Sequence, residues 1–319
     1  MKISWSQMRT YSQCRMQHYW RYEKALRPKR EKIAPSRGSA GHRALAAYYR
    51  REPWRLALKK WLEEQIEKQE LFDDEIEEFE RVVEDVKNII PRYIATYAEE
   101  EAGWTIIAVE REFAFPVPGT RGDLIFHGYA DLVVKDSNGH NWVIEHKFPQ
   151  RSFKKPDRVE LDPQLVLYQK AMQKTLGIDI HGAKYNQILW KLPKEPSINK
   201  DGSVSRANIK TDWPTYRKAL IEAGESPAEY QDMKKKLANK RFFKRHDIYR
   251  GKVAVENFMQ DLNRRAREVV DQERRVFMSG SSSFLCPGCD YRKLCETYIE
   301  GGDLDFIIER EYEHRERGR

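Results

Sequence analysis

The hydrophobic pattern changes along the chain, from helical spacing to short β-type runs and back to helical spacing. Apolar and aromatic positions at helical spacing predict helices over residues 4–26, from about 38 to 51, and across most of 55–101. Ser4 is a good N-cap for the first of these helices. Runs of β-forming residues bounded by turn residues then predict three strands, at 105–115, 123–135 and 141–148.

A second group of elements follows these strands. Asp162-Pro163 has the cap-then-proline order that begins helices, and it predicts a helix to about Leu176. Residues 185–191 predict a further strand, and 193–211 contain the Pro, Gly, Asn and Ser of a loop. Later helices are predicted near 213–223, 227–240 and 253–275. The fold class that follows is α/β, a mixed β-sheet flanked by helices, with helical additions before and after it.

The chain of 319 residues is long enough for one large domain. We interpret it as a single domain, 1–319, with four parts: an N-terminal helical region at 1–101, a core at 102–191, a loop and helical insertion at 192–275, and a cysteine-rich tail at 276–319. No segment has the roughly 18 to 20 apolar residues of a membrane helix, and residues 1–10 lack the apolar block of a signal peptide. We therefore expect a cytoplasmic protein with no membrane partner.

Basic residues outnumber acidic ones and are unevenly distributed. The chain has 58 Lys and Arg against 50 Asp and Glu, a formal net charge of +8 at pH 7. Residues 9–51 hold twelve basic and two acidic residues, with Tyr11 and Trp20 among the interleaved aromatics, and residues 234–252 hold nine basic residues and one acid. Such runs are often only solvated surface, but they also suit a polyanionic partner such as nucleic acid.

Three charged residues lie in predicted strands, which are usually poor in Asp, Glu and Lys. Asp131 lies within the segment 128–134, directly before three apolar residues, and Glu145-His146-Lys147 follows the apolar residues 142–144. The alternation of side chains along a strand places Glu145 and Lys147 on one face and His146 on the other. A pattern this short also occurs by chance, and the alternative is a surface ion pair that contributes about 0 to 1 kcal/mol.

The turn between these two strands decides whether Asp131 joins that face. A two-residue turn ending at Gly139 would place Asp131 opposite His146 and separate the carboxylates. A three-residue loop, with Gly139 in the left-handed conformation at its end, would instead place Asp131 opposite Glu145. Their Cβ atoms would then lie about 4.5 to 5.5 Å apart. Our hypothesis is the three-residue loop.

Two carboxylates this close repel each other unless a cation lies between them, and hard oxygen ligands suit Mg²⁺ or Mn²⁺. Such an ion polarises a phosphodiester and lowers the pKa of a bound water, while Lys147 aligns that water or stabilises developing charge. The pattern therefore predicts hydrolytic phosphodiester cleavage. Gln164 and Tyr168, four residues apart, share a face of the next helix. His42 lies on an early helix, where a single histidine is usually structural.

Four cysteines form a second candidate site. Cys14 stands alone near the N-terminus, and Cys286, Cys289 and Cys295 follow one another in the tail. In an intracellular protein this spacing favours metal ligation over disulfides. A Zn²⁺ ion and an iron–sulfur cluster both fit the spacing, since both accept four thiolates.

The order of these motifs resembles that of a known family, the RecB-type branch of the PD-(D/E)XK nucleases. The motifs that carry the resemblance are His42, Gly128-x-x-Asp131, Glu145-x-Lys147, Gln164-x-x-x-Tyr168, and an opening segment from Ile3 through Cys14 and Tyr19. The resemblance implies a restriction-endonuclease-like core. Its implied metal ligands are His42, Asp131, Glu145 and the main-chain carbonyl of His146. Its implied catalytic residues are Lys147, Asp131 and Glu145, with Gln164 and Tyr168 positioning the site or the strand, and Glu110 resembles an auxiliary acid of some members.

The resemblance also bears on the cysteines. CRISPR-associated RecB-like exonucleases and AddB-type nuclease domains are similar to this chain in having one cysteine before the core and three after it, and these hold a 4Fe-4S cluster. The resemblance therefore implies a structural cluster on Cys14, Cys286, Cys289 and Cys295 that clasps the two ends of the chain.

These observations together predict a metal-dependent DNA exonuclease that acts on single strands or duplex ends in recombination, repair or nucleic-acid processing. The basic N-terminal helix with its aromatics and the run at 234–252 would hold the phosphate backbone. The alternatives are a non-catalytic iron–sulfur DNA-binding or assembly factor, and a structure-specific endonuclease on the same fold. The sequence has no helicase P-loop, so any unwinding would come from a partner, such as a helicase or another recombination or CRISPR protein.

Overall fold

The computed structural model describes residues 1–30, 33–69, 73–207, 210–237, 242–271 and 285–315. Its helices are α1 (Trp5–Gln13), α2 (Arg15–His18), α3 (Ile33–Tyr49), α4 (Trp54–Gln69), α5 (Asp73–Glu101), α6 (Pro156–Glu160), α7 (Pro163–Leu176), α8 (Trp213–Glu222), α9 (Gln231–Leu237), α10 (Lys252–Val270), α11 (Arg292–Glu300) and α12 (Leu304–Glu311). Its strands are β1 (Lys2–Ile3), β2 (Leu26–Pro28), β3 (Thr105–Pro116), β4 (Ile125–Lys135), β5 (Asn141–Lys147), β6 (Gly182–Ile188), β7 (Phe243–Ile248) and β8 (Tyr312–His314).

The sequence predicted the central elements closely and the flanking elements less well. Strands β3, β4 and β5 and helix α7 lie where expected, and the Asp162 side chain caps α7 by accepting a hydrogen bond from the Gln164 N–H at 3.1 Å. The prediction of one helix over 4–26 was wrong, because Cys14 has an extended conformation that ends α1 and begins α2. The last residues of the predicted helices 227–240 and 253–275 lie outside the described residues.

Six strands form one mixed sheet, in the order β1-β4-β5-β6-β7, with β3 paired to β4. Strand β3 runs antiparallel along nearly the whole of β4 and so occupies one of its edges. Strand β1 pairs with residues 125–126 of β4, and β5 pairs with residues 132–135. Because both use the other edge, residues 127–131 lie between them, and no described strand pairs with them on that side. This gap in the middle of the sheet positions the candidate site.

Helices cover both faces of the sheet, as the α/β prediction requires. One face packs on α3, α4 and α5 through a cluster that includes Leu45, Leu58, Ile90 and Ile144. The opposite face packs on α1, α7 and α10 through Met8, Val143, Leu167 and Leu262. No helix in the described part of the chain is long and apolar enough to cross a membrane.

The two ends of the chain meet in a separate small sheet. Strand β2 pairs antiparallel with β8, and the Tyr291 hydroxyl donates a hydrogen bond to the Leu26 carbonyl at 2.9 Å. Trp20, Leu294 and Tyr312 are buried in the same cluster. Main-chain pairing and apolar packing therefore hold the C-terminal segment against the N-terminal one.

Candidate metal centre and active site

The β4–β5 hairpin closes with a three-residue loop. The Asp136 N–H donates to the His140 carbonyl at 2.9 Å, and the Gly139 N–H donates to the Asp136 carbonyl at 3.0 Å. Gly139 has φ of +83°, the left-handed conformation that glycine adopts without strain. The hypothesis of a three-residue loop is confirmed.

This register brings Asp131 opposite Glu145. The paired ladder ends at Leu132 with Ile144, and Asp131 and Glu145 are the next residues on the two strands. Beyond that point the Asp131 carboxylate accepts a hydrogen bond from the His146 main-chain N–H, at 2.7 Å from its Oδ2. The side chain thus takes a bond that a strand carbonyl would otherwise accept, at the position where β4 and β5 separate.

Glu145 is 3% exposed, and its polar contacts with described neighbours use only one of its two carboxylate oxygens. Its Oε1 accepts a hydrogen bond from Gln164 Nε2 at 2.7 Å and forms an ion pair with Lys147 Nζ. Its Oε2 is buried and has no hydrogen-bond partner among the residues that the structure describes. Because an unpaired buried carboxylate oxygen is strongly unfavourable, this atom fits the position of a cation ligand.

A group of three potential metal ligands lies beside this pair. One ligand atom each from His42, Glu110 and Asp131 lie within 4.8 Å of one another. His42 Nδ1 is 3.5 Å from Asp131 Oδ1. One nitrogen and several carboxylate oxygens suit a divalent ion such as Mg²⁺ or Mn²⁺, with manganese more tolerant of the imidazole.

Glu110 lies in this group although the sequence indicated it only as an auxiliary acid. Val109 pairs with Leu132 and Arg111 with Ala130, so Glu110 stands opposite Asp131 on β3. Its φ is +49°, in the left-handed region that side chains other than glycine rarely adopt. A strained conformation of this kind is typical of functional sites.

A glycine lets helix α3 bring His42 to the sheet. A Cβ atom on Gly41 would lie 2.4 Å from the Phe148 ring, so no larger residue fits there without a shift. The His42 ring itself packs on Phe148, with centroids 5.4 Å apart. The close approach of α3 to the end of β5 therefore sets the position of the histidine.

The His146 ring points to the opposite side of the sheet, as the strand alternation predicted. It stacks on Tyr49 with centroids 5.7 Å apart and an interplanar angle of 11°, and its Nδ1 lies 2.8 Å from the Asn186 amide. Asn186 in turn donates to the Tyr93 hydroxyl at 3.1 Å. Of the atoms of His146, only the main chain is therefore available on the side of Asp131.

Gln164 and Tyr168 share a face of α7, also as predicted. The Tyr168 ring packs on Phe113 with centroids 5.4 Å apart. Only Gln164 contacts the carboxylate of Glu145 directly among these two.

Burial perturbs every ionisable group in the site. It raises the pKa of Asp131 to about 6, and burial with the adjacent Asp131 charge raises the pKa values of Glu110 and Glu145 to about 7. Burial lowers the pKa of His42 to about 4. Burial alone would lower the pKa of Lys147, but the charges of Glu145 and Asp131 outweigh it and raise that pKa. Near neutral pH Glu110 and Glu145 are therefore partly protonated while Asp131 is mostly ionised, and a divalent cation would compete with the remaining protons.

Comparison with known proteins assigns the family. A sequence model of the PD-(D/E)XK nuclease superfamily matches residues 2–296. The chain belongs to the PD-(D/E)XK nuclease superfamily. Membership implies a nuclease with a nucleic-acid substrate, and the metal-ligand group on the sheet agrees with it.

Other comparisons add no functional information about this PD-(D/E)XK nuclease. No curated protein matches the chain. A solved structure described as "Crystal structure of SSO0001" is 11% identical, covers 81% of this chain and 83% of its own, and has a TM-score of 0.34. A similarity at this level carries no argument.

Neighbours on β6 complete the active-site region of the nuclease and were not predicted. Tyr185 pairs with Glu145, and Gln187 pairs with Lys147. Every residue of β6 is buried, including Lys184, Asn186 and Gln187. The signal that the sequence offered is the run of polar residues, Lys184, Asn186 and Gln187, among the strand-forming residues of 182–188, since buried polar groups need partners.

Three cysteines of the nuclease lie in one region, but its described residues form no closed metal site there. Cys14, Cys289 and Cys295 pack against the cluster that joins the chain ends. Among the described residues, no three cysteine sulfurs lie within 4.8 Å of one another. Four thiolates on one Zn²⁺ would stand about 3.8 Å apart, given Zn–S bonds of about 2.3 Å. The described positions are therefore not those of a formed zinc site.

Several predicted DNA contacts of the nuclease are internal. Tyr11 is 5% exposed and Trp20 is 2% exposed, because α1 and the π-helical turn Tyr19–Glu23 bury their apolar sides. Arg245, in the basic run at 234–252, is 4% exposed and lies between Glu100 and Glu101. The prediction that the aromatics of the N-terminal helix stack on DNA was therefore wrong for Tyr11 and Trp20, and Arg245 does not contribute to a basic surface of the run. Residues 238–241 of that run lie outside the described residues.

Proposed function

We propose that the protein is a divalent-metal-dependent deoxyribonuclease, a single domain over 1–319, that degrades single-stranded DNA or duplex ends as an exonuclease. The observation that carries the proposal is the meeting of Asp131, Glu145 and Lys147 beside His42 and Glu110, at the gap in the sheet. Two raised-pKa carboxyl groups and an unpartnered buried oxygen fit a divalent ion better than a structural ion pair.

Each side chain has a distinct role in this proposal. Asp131 and Glu145, with His42, Glu110 and the His146 carbonyl, would hold Mg²⁺ or Mn²⁺, which supplies Lewis acidity and a water of lowered pKa. Lys147 keeps its proton because of the two carboxylates, so its ammonium group can donate to a phosphate oxygen or to the attacking water. Gln164 orients Glu145 through its 2.7 Å hydrogen bond, and Tyr168 supports Gln164. These groups together would stabilise the negative charge that develops at phosphorus.

Cleavage of end-labelled single-stranded DNA tests this proposal. Wild-type protein with Mn²⁺ or Mg²⁺ should cleave, and EDTA should abolish cleavage. Lys147→Ala should lower kcat by about 10²- to 10³-fold, the loss typical of removing one charge-stabilising donor. Lys135→Ala, an exposed lysine on the same hairpin, is the matched control and should retain activity. Equal, negligible cleavage by wild type and Lys147→Ala would reject a nuclease and favour a DNA-binding scaffold.

The mode of cleavage needs a separate substrate. An exonuclease requires an end, so closed circular single-stranded DNA should resist digestion while its linear form is degraded. Linearised circles, or products of one discrete length, would instead identify an endonuclease. A blunt duplex serves as a third substrate. If it resists digestion alone and is digested when a helicase is added, the result supports a partner that unwinds DNA for processing.

We propose further that Cys14, Cys286, Cys289 and Cys295 hold a 4Fe-4S cluster that stabilises the joined chain ends. Three sulfurs accept weak hydrogen bonds at 3.4 Å, Cys14 from the Gln17 N–H, Cys289 from the Tyr291 N–H and Cys295 from Trp20 Nε1. Hydrogen bonds to sulfur are one means by which proteins tune such clusters. Burial raises the pKa values of Cys289 and Cys295, and the other thiols add to this, so a cationic metal centre would favour their ionisation.

Anaerobic purification tests the cluster. Brown protein that absorbs near roughly 400 nm, with four iron atoms per chain, would support it. Colourless protein with one zinc ion per chain would support the alternative. If protein that contains neither metal has the same thermal stability as protein purified anaerobically, a structural role for the cysteines is rejected.

A further inference from the structure

A groove of about 750 Å³ opens beside Lys147. It lies between the N-terminal part of α1, the end of β5, the loop that follows β5 and the start of α7. We infer that this groove binds the backbone of one nucleic-acid strand through Arg9, Lys155 and Arg158. The inference rests on the proposed nuclease function and defines its substrate as an unpaired strand.

Three cations of the groove have no acidic partner. Arg9, Lys155 and Arg158 are exposed, and none has a carboxylate within salt-bridge distance in the part of the chain that is described. The other two groove cations are paired, Lys147 with Glu145 and Lys154 with Asp162 at 2.8 Å. Three uncompensated charges on one groove suit a polymer of phosphates, whose binding releases counterions.

The sheet fixes the loop that carries Lys155. The Lys154 N–H donates to Gln187 Oε1 at 2.6 Å, and Gln187 Nε2 donates back to the Lys154 carbonyl at 3.2 Å. Gln187 is buried on β6 and pairs with Lys147. The cations of the loop therefore have a fixed position relative to the proposed catalytic lysine, which reduces the ordering that binding requires.

Aromatic side chains favour a single strand over a duplex. Trp5 and Phe153 line the groove and are partly exposed. Bases stack on such rings only when they are not stacked in a duplex, and this stacking tolerates any base. A groove with unpaired cations and aromatic walls therefore fits a single strand without sequence preference.

The test measures binding without cleavage. Fluorescence anisotropy of labelled oligo(dT), in EDTA, gives the affinity of the full-length protein at several salt concentrations. The triple variant Arg9→Ala, Lys155→Ala, Arg158→Ala should reduce the slope of log affinity against log salt by about 2, since each lost phosphate contact contributes about 0.7 for a single strand. The charge-matched control is Arg55→Ala, Lys59→Ala, Lys60→Ala on α4, which lies outside the groove. It should leave the slope nearly unchanged.

The outcomes separate the groove from the proposed catalysis. An unchanged slope in the groove variant, or an equal decrease in the α4 variant, would overturn the inference. A decrease seen only with a duplex ligand would reject the single-strand assignment. The conservative variant Arg9→Lys, Arg158→Lys should keep the wild-type slope, which excludes general unfolding as the cause. Protein that fails to cleave but shows the expected change in slope would refute the nuclease function and leave the groove intact.

Discussion

The His146 main-chain N–H donates a hydrogen bond to Asp131 Oδ2 at 2.7 Å. This bond joins β4 to β5 one step beyond their ladder, at the point where the strands diverge. It fixes the carboxylate toward Glu145, and it occupies only one of the two oxygens. Asp131 therefore uses Oδ2 for a hydrogen bond between the strands, while its Oδ1 lies 3.5 Å from His42 Nδ1.

Two substitutions separate these contributions of Asp131. Asparagine retains an oxygen that can accept the His146 N–H, whereas alanine does not, and both remove the charge. Asp131→Asn should therefore be about 0.5 to 1.5 kcal/mol more stable than Asp131→Ala, as judged by urea unfolding. Both should lose metal binding and at least about 10²-fold in cleavage rate, because the charged ligand is absent. Equal stability of the two variants would show that the hydrogen bond does not hold the strands.

Glu110 allows a test of the strained backbone. Its φ of +49° suits glycine, so Glu110→Gly should be about 1 to 2 kcal/mol more stable than Glu110→Ala. Both should bind Mn²⁺ more weakly by calorimetry. Glu112→Ala is the control, since Glu112 is exposed on the same strand and contacts His127 at 2.9 Å. Unchanged affinity for Mn²⁺ in both Glu110 variants would remove this residue from the metal site.

Glu145→Gln should change the pH dependence of stability when no divalent ion is present. Burial and the Asp131 charge raise the pKa of Glu145 from 4.5 to about 7. Between these values the folded protein keeps a proton that the unfolded chain has released, so the free energy of unfolding decreases as the pH rises. Glutamine has no such proton. From pH 5 to pH 8 the variant should therefore gain about 1 to 3 kcal/mol relative to wild type.

Denaturant unfolding in EDTA at several pH values measures this difference. The lowered pKa of His42 has the opposite effect, because it decreases the free energy of unfolding as the pH falls. His42 is present in both proteins, so its contribution cancels in the difference between them. Lys147 stays charged over the whole range because its pKa is raised. Parallel stability curves for the two proteins would show that Glu145 is ionised in the metal-free fold. Added Mn²⁺ should stabilise wild type more at pH 8 than at pH 6, because ion and proton compete.

Arg245 should contribute strongly to stability from outside the metal site. Its guanidinium donates at 2.7 Å both to Glu101 and to the Tyr93 hydroxyl. Arg245→Met would leave the Glu101 carboxylate, whose side chain is 7% exposed, without the cation that pairs with it. The Tyr49 and Tyr93 hydroxyls would still donate to that carboxylate. We expect a loss of about 3 to 5 kcal/mol in urea unfolding. Arg206→Met is the control, because Arg206 and its partner Asp232 are exposed, and it should lose less than about 1 kcal/mol. Similar losses in both variants would contradict the role of the buried network.

The sequence predicted the hairpin and its three charged residues because short-range rules determine them. Strand alternation placed Glu145 and Lys147 together, and the left-handed preference of Gly139 set the register. Such rules act within a few residues, and they hold here because the loop is short.

Long-range packing determined what the sequence did not predict. Strand β7 lies within a basic run, and only its pairing with β6 and the burial of Arg245 against α5 explain it. The resemblance indicated Glu110 only as an auxiliary acid, and its place in the metal-ligand group depends on β3, which brings it opposite Asp131. Tyr11 and Trp20 were expected at a DNA surface, but contacts with later segments bury them. The periodicity of hydrophobic residues along the chain does not predict such long-range contacts.

A crystal structure of the protein soaked in Mn²⁺, with anomalous scattering recorded at the manganese edge, tests the central claim most directly. We predict an anomalous peak bound by Asp131 and Glu145, with His42 or Glu110 completing the shell, and its loss in Asp131→Asn. A manganese-soaked crystal with no peak at these residues, or with a peak bound elsewhere, would contradict the account.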